Sequence, residues 1–409
     1  MVMNKKGITK LLREALGVPS NITNLARQVF DGFLNNLRKE LPTGRYDFDG
    51  YSDVFTMDGD FNISDYSFNK ITVKYEFFGS SRVDKTTLAS MSFAQQKRFS
   101  RADIKVHNQG DFNEVRLTVE MAINIDLFDG NDIINDILAD KTEYTSSFAH
   151  ELKHAYDGYK KTTGSVISST EYVVFTNTRY RVPTLDKFLH NAYFIHSVEN
   201  LVRPTEIASE IESGNITKKD FIGFLAANSI YIKLKEINQM TLAGLYNGLE
   251  NDLNDIIRLF NASNTEIPKD ENGHLDVESL IDKTLKLFFL NLRDKKITRL
   301  AERLYPEEFL RLFDSSDSKQ NKFLDKYENS LRRFNDYEQY FNHELGIFKD
   351  VSGKMIKKIS KLYAMAKDDE NVAEFLNKIN NKATNESVKD WDLYHDKNNT
   401  ETSTFKDFE

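Results

Sequence analysis

The chain has 409 residues, of which 40% are apolar and 29% are charged, so it should fold as a globular protein of two or three domains. Its formal net charge is -8, with both signs mixed along the chain, which argues against a nucleic-acid-binding protein. Because the chain has no cysteine, disulfides, thiolate zinc sites and a cysteine nucleophile are excluded. Any transition-metal site must then use His and carboxylate ligands.

The first forty residues are predicted to form two helices and no secretory signal. They begin with basic residues, but Arg13 and Glu14 interrupt the short apolar stretch that a signal requires. The helices would lie within residues 5–40, with Ser20 as the N-cap of the second. No run of about 18 apolar residues occurs in the sequence, so we expect no membrane-spanning helix and a cytoplasmic or virion-associated protein.

An alternation of apolar and polar residues between about positions 45 and 125 predicts a sheet. The alternation is clearest over 71–77 and 115–125. Strict alternation is typical of strands with one face on a core and the other in water. Interruptions at 79–81 and 108–111 predict loops that join antiparallel strands.

Most of the remaining chain is predicted to be helical. One helical stretch runs over 131–162 with a break near Asp140, and two more run over 184–202 and 204–213. Residues 166–175 are interpreted as a further strand or an extended loop.

Apolar residues spaced by three and four continue beyond residue 214 and predict helices there. The sequence therefore predicts an α+β domain at 1–213, an α-helical domain at 214–382 and a polar, flexible tail at 383–409. Two short charged pairs in the helical part, Lys295-Lys296 and His343-Glu344, are predicted to be hydrated.

The segment that indicates chemistry is His150-Glu151-Leu152-Lys153-His154, within a predicted metal helix at 142–162. Residues four apart lie on one face of a helix, so both imidazoles can bind a single metal ion. Glu151 is then placed to act as general base towards a metal-bound water. The alternative is a surface helix whose His and Glu side chains are hydrated.

Two further features of this segment carry predictions. Ser146 or Ser147 is the predicted N-cap of the metal helix. Asp157 follows His154 by about one turn, and its carboxylate could orient a ligand imidazole.

A catalytic zinc site needs a third protein ligand, and the next helices offer candidates. Glu206 is the first choice, because small residues follow it and would let its helix pack close to the metal helix. Glu199 is the second choice and His196 the third. The candidates for stabilising an oxyanion are Tyr172, Tyr193, His196 and Arg203. The alternative is that these side chains only pack against their neighbours.

The order of sheet, His-Glu-x-x-His helix and later Glu-bearing helix resembles the zincin metallopeptidases, in particular their glutamate-ligand (gluzincin-like) branch. The resemblance covers about residues 100–210 and implies zinc, peptide-bond hydrolysis and an edge strand that binds the peptide backbone, at 103–107 or 115–125. Asp157 and Lys160 depart from the metzincin continuation of the motif. The phrase His-Glu-Leu-Lys-His-Ala-Tyr-Asp is also similar to peptidases encoded by tailed phages.

A rival interpretation is a structural or interaction protein, for example a phage particle component, that retains a zincin-like fold without catalysis. The large helical part favours it, because catalysis does not explain that part, which could instead bind a protein partner. A third hypothesis is a toxin-like peptidase whose helical part binds the target. The predicted partners are thus a peptide or protein substrate, with no nucleic acid and no membrane.

Overall fold

A computed structural model of the chain describes residues 18–19, 21–41, 50–63, 66–79, 98–109, 112–127, 133–159, 166–200, 202–305, 318–365, 372–374 and 376. Within them the fold is mixed α+β and mostly helical, as the sequence predicts. The predicted helix before residue 18, the N-cap Ser20 and the tail at 383–409 lie outside the described residues. Over the described ranges, no helix combines the length and the apolar character needed to cross a membrane.

The described elements follow in chain order. The first part contains α1 (Ile22–Glu40), β1 (Ser52–Ile63), β2 (Tyr66–Phe78), β3 (Arg98–Gln109), β4 (Phe112–Asn124), α2 (Ile133–Ala139) and α3 (Lys141–Tyr159). The next contains α4 (Val166–Asn177), α5 (Pro183–Ile195), α6 (Ser197–Asn200), α7 (Arg203–Ser213), α8 (Phe221–Ala227) and α9 (Ser229–Asn238). The last contains α10 (Leu242–Asn251), α11 (Leu253–Ala262), α12 (Val277–Leu304), α13 (Ser318–Arg332) and α14 (Tyr337–Met365).

The chain forms two compact units that are discontinuous in sequence. Unit 1 comprises the described residues within 1–163, 199–234 and 354–388, and unit 2 those within 164–198 and 235–353. The domains predicted from the sequence, at 1–213 and 214–382, are instead each continuous in sequence. The chain passes from one unit to the other more than once, so no single boundary in the sequence separates the two units.

The sheet of unit 1 has the strand order β1-β2-β4-β3. The pairs β1/β2 and β3/β4 are antiparallel, whereas β2/β4 is parallel. The strands joined after residue 79, β2 and β3, therefore run antiparallel, as predicted, but they do not pair with each other, because β4 lies between them. Of the two predicted edge strands, 115–125 falls mainly in β4, inside the sheet, while 103–107 falls in β3, at its end.

The core of unit 1 lies between the sheet, α1 and α3. The alternating residues Ile71, Val73 and Phe77 of β2 are fully buried, as the period of two predicts. The ring of Phe33 on α1 lies 5.1 Å from that of Tyr75 and 5.9 Å from that of Phe148, between centroids. This residue thus joins the helix to both the sheet and α3.

Unit 2 is helical, and two of its features contradict the sequence predictions. Residues 166–175 form α4 and not a strand or loop, because burial of side chains such as Val174 and Phe175 outweighs the weak strand preference of β-branched residues. Lys296 and Glu344, predicted to be hydrated, are buried and paired with each other at 2.8 Å. An opposite charge on a neighbouring helix is a contact that the local sequence does not reveal.

Candidate metal centre

Helix α3 carries the His-Glu-x-x-His segment, and it is formed as the sequence predicts. Its apolar residues Phe148 and Leu152 belong to the core of unit 1. His150 and Glu151 are also buried, with 7% and 2% of their surface exposed. A hydrated surface helix does not fit this burial.

The start of α3 differs from the prediction. The helix begins at Lys141, so Ser146 and Ser147 lie inside it and are not its N-cap. The Ser146 hydroxyl instead lies 3.3 Å from the Glu206 carbonyl oxygen and 3.1 Å from Glu210 Oε1, to which it can donate. This serine therefore fastens α3 to α7.

Three potential metal donors converge from α3 and α6. The Nε2 atoms of His150 and His154 are 2.9 Å apart. Glu199 brings Oε1 to 3.3 Å from His154 Nε2 and Oε2 to 3.5 Å from His150 Nε2. Tetrahedral ligands at the usual zinc distances lie about 3.3–3.4 Å from one another. The residues present therefore fit one divalent cation held by two imidazoles and a carboxylate.

Glu206, the first choice for the third ligand, lies on the opposite side of the His150 ring. Its Oε1 is 2.7 Å from His150 Nδ1, although the N–H is not well aligned with that oxygen. A small rotation of the ring brings a proton on Nδ1 into line with that oxygen. A carboxylate behind a ligand histidine fixes the ring and directs its other nitrogen to the metal. The geometry therefore favours Glu199, the second choice, as the third ligand.

Arg203, at the start of α7, joins the two carboxylates. Its Nη2 donates to Glu199 Oε2 at 2.9 Å, and its Nη1 donates to both oxygens of Glu206 at 3.0 and 2.9 Å. Both ends of the guanidinium are thus engaged, which does not favour the predicted role as an oxyanion donor. The spacings 199–203 and 203–206 are also those of helical ion pairs, an interpretation that was not among the predictions for these residues.

The electrostatics of the site follow from this arrangement. Burial by itself raises the pKa of Glu199 and Glu206, but Arg203 and the histidines outweigh it. The pKa of Glu206 falls to about 2, and that of Glu199 falls well below its usual range. Burial lowers the pKa of His150, but the carboxylate of Glu206 reverses this and raises it. Both carboxylates are consequently ionised at neutral pH and can attract a cation.

The other predicted site residues have contacts of their own. Asp157 is the residue whose carboxylate was predicted to orient a ligand imidazole. That carboxylate accepts hydrogen bonds from Lys153, and it is the Glu206 carboxylate that lies next to the His150 ring. His196, Tyr172 and Tyr193 belong to unit 2, where the Tyr172 ring centroid lies 5.7 Å from that of His196 and 5.5 Å from that of Tyr193.

The spacing of His150 and His154 along the sequence is thus enough to place both on one helix face. The positions of Glu199 and Glu206 depend instead on where α6 ends and α7 begins. Comparisons with protein-family models, curated proteins and solved structures find no match for this chain, so its interpretation rests on the chemistry of the site.

Proposed function

We propose that the protein is a zinc-dependent peptidase in which His150, His154 and Glu199 hold the metal. The observation that carries the proposal is the convergence of three side chains at a buried His-Glu-x-x-His helix: the Nε2 atoms of His150 and His154 lie 2.9 Å apart, and the Glu199 carboxylate has Oε1 at 3.3 Å from the second and Oε2 at 3.5 Å from the first. This ligand set also suits other divalent ions, but two imidazoles and one carboxylate are a common set for catalytic zinc.

The residues of the site have distinct proposed roles. Bound zinc supplies a Lewis acid that polarises the scissile carbonyl and lowers the pKa of a bound water. Glu151, next to His150 on α3, accepts the proton of the attacking water and passes it to the leaving amine. Glu206 fixes the tautomer of His150 through its Nδ1 atom, so that Nε2 is directed to the other donors.

A zincin-like arrangement of unit 1 is part of the same proposal. Helix α3 packs against β3, the strand at one end of the sheet. The resemblance implies that an extended peptide adds to such a strand by main-chain hydrogen bonds. The substrate class is therefore a peptide or an unfolded segment of a protein.

The rival function, a structural protein with a non-catalytic metal, has one observation in its favour. All three donors belong to unit 1, so the helical unit 2 is not needed to hold the metal. Against this, the cluster has three members among the described residues, which leaves a coordination position for water. A structural site is expected to be closed by a fourth protein ligand.

Metal analysis and a variant of the general base test the proposal together. We expect about one zinc per chain, lost in the double variant His150→Ala/His154→Ala and retained in His274→Ala, whose side chain is exposed. Glu151→Gln should keep the zinc and lower peptidase activity by about 10²–10⁴-fold, because only the proton acceptor is removed.

Two results would contradict the proposal. Absence of zinc from the wild-type protein after incubation with the ion would exclude the metal site. Full peptidase activity in Glu151→Gln would exclude the mechanism while leaving the site in place.

A further inference from the structure

We propose that Arg203 is a positioning residue that leaves Glu199 only one oxygen for the metal, an inference that rests on the proposed zinc site. A carboxylate can bind a metal through one oxygen or both. Arg203 Nη2 donates to Glu199 Oε2 at 2.9 Å. The other oxygen, Oε1, lies 3.3 Å from His154 Nε2 and faces the donor cluster.

The guanidinium disfavours metal binding at Oε2 for two reasons. A charge-assisted hydrogen bond occupies one lone pair of that oxygen. The positive charge also repels a second cation at the same atom, and this repulsion is strong because Glu199 and Arg203 are both buried. Oε2 is 3.5 Å from His150 Nε2, so distance alone does not exclude it as a ligand atom. The charge of Arg203 makes the difference between the two oxygens.

Arg203 is itself held in place from the other side. Its Nη1 donates to both oxygens of Glu206, and Glu206 Oε1 is 2.7 Å from His150 Nδ1. Glu199, Arg203, Glu206 and His150 thus form a continuous chain that begins and ends at a proposed ligand. A lysine could not reproduce it, because a single ammonium lacks the planar fork that contacts two carboxylates in fixed directions.

The consequence concerns the coordination number of the metal. Two imidazoles and one carboxylate oxygen leave a tetrahedral ion one position for water, which hydrolysis requires. A carboxylate that bound through both oxygens would crowd that position. Arg203 therefore acts on the reaction through Glu199 and without contact to the substrate.

The first test uses the wild-type protein loaded with zinc, in a crystal structure. We expect one Glu199 oxygen at about 2.0–2.2 Å from the ion, with the other bonded to Arg203. Two Glu199 oxygens at that distance would overturn the inference. A wild-type protein that takes up no zinc would instead overturn the proposed metal site.

The second test compares Arg203→Lys with wild type after loading with cobalt, whose visible absorption is stronger in four-coordinate than in higher-coordinate sites. We expect a weaker absorption in the variant and a zinc affinity lower by about 10–100-fold, the usual cost of changing a group behind a ligand. Arg258→Lys is the matched control, because Arg258 is exposed and pairs only with Asp255 among the contacts described for it.

An unchanged cobalt spectrum and zinc affinity in Arg203→Lys would overturn the inference while leaving the zinc site intact. If the variant does not fold, the crystal structure of the wild-type protein decides between one and two oxygens. A purely structural role of Arg203 would change stability without changing the spectrum of the folded protein.

Discussion

Both units bury a cluster of charged side chains, and the two clusters are built from similar groups. In unit 1, Glu199 and Glu206 share the single cation Arg203. In unit 2, Lys296 lies 2.8 Å from Glu344 and 3.4 Å from Glu171. Each cluster thus has two carboxylates and one permanent cation. Burial and ion pairing alone therefore do not distinguish a functional site from a structural one.

The two clusters differ in whether hydrogen-bond donors face the acceptor atoms of their side chains. In unit 2 the Tyr327 hydroxyl donates to Glu171 at 2.8 Å, and the Lys296 ammonium supplies further donors to both carboxylates. In unit 1 the Nε2 atoms of His150 and His154 face each other at 2.9 Å, and Glu199 Oε1 faces the same point at 3.3 Å from His154 Nε2. Only a proton or a cation can satisfy acceptors that converge in this way. Convergence of acceptors is thus the feature that indicates a ligand.

Removal of the cation of unit 2 should give the largest change in stability. Lys296→Met would leave Glu344 buried without its ammonium partner, and such a loss typically costs about 3–5 kcal/mol. We expect this decrease in the free energy of unfolding, measured in urea, with an unchanged zinc affinity of the folded protein. Burial lowers the pKa of Lys296, but its carboxylate neighbours outweigh this and raise it, so Lys296 is charged in the native protein and the variant removes an ion pair.

The control for this variant is Lys286→Met, on the same helix α12 but exposed. Its effect should stay within about 0.5 kcal/mol. A comparable loss in both variants would show that the cluster of unit 2 is not a stabilising feature. A loss of zinc in Lys296→Met would break the comparison between the two clusters.

Zinc itself should stabilise one unit selectively. A ligand at about 100 times its dissociation constant stabilises the state that binds it by about 2.7 kcal/mol. We expect zinc to slow hydrogen exchange in α3 and α7 of unit 1, and a chelator to reverse this. The amides of α12 in unit 2 serve as the internal control and should not respond. Equal slowing of hydrogen exchange in both units would mean that zinc stabilises the whole chain and not the proposed site in particular.

The sequence was most informative where structure depends on neighbours along the chain. The helix through His150 and His154 and the alternation of Ile71, Val73 and Phe77 are local patterns, and both predictions are confirmed. The parallel pairing of β2 with β4 is not local, because it brings together strands that β3 separates in sequence. No turn residue signals such a pairing, so the sequence predicts the opposite directions of β2 and β3 but not the position of β4 between them.

The relative placement of Glu199 and Glu206 also depends on contacts that are not local in sequence. The two glutamates were predicted on successive helices, 184–202 and 204–213, with Glu206 preferred because small residues follow it. In the structure α6 ends at Asn200 and α7 begins at Arg203, so the two carboxylates lie on opposite sides of the His150 ring. Only the contact of α7 with α3 fixes that geometry, and a single sequence does not contain it.

Glycines at close helix contacts provide the smallest and most local comparison between the units. A Cβ at Gly248 in unit 2 would lie 2.7 and 2.8 Å from two atoms of the short Thr184 side chain. A Cβ at Gly32 in unit 1 would lie 2.5 Å from the tip of the Phe55 ring. Rotation of Thr184 cannot clear both of its atoms, whereas the partly exposed Phe55 ring can swing aside. We therefore expect Gly248→Ala to be the more destabilising change.

The expected loss of unfolding free energy is about 1–3 kcal/mol for Gly248→Ala, from overpacking, and about 1 kcal/mol or less for Gly32→Ala. Gly346→Ala in unit 2 and Gly223→Ala in unit 1 are the matched controls, because at either helical position no atom outside the adjoining residues and the nearby backbone of the same helix lies within 4 Å of the added methyl. Each control should instead gain about 0.5–1 kcal/mol from helix propensity. A gain in Gly248→Ala, measured by the same urea titration, would show that α5 and α10 separate at little cost, and that close packing is not what holds this part of unit 2 together.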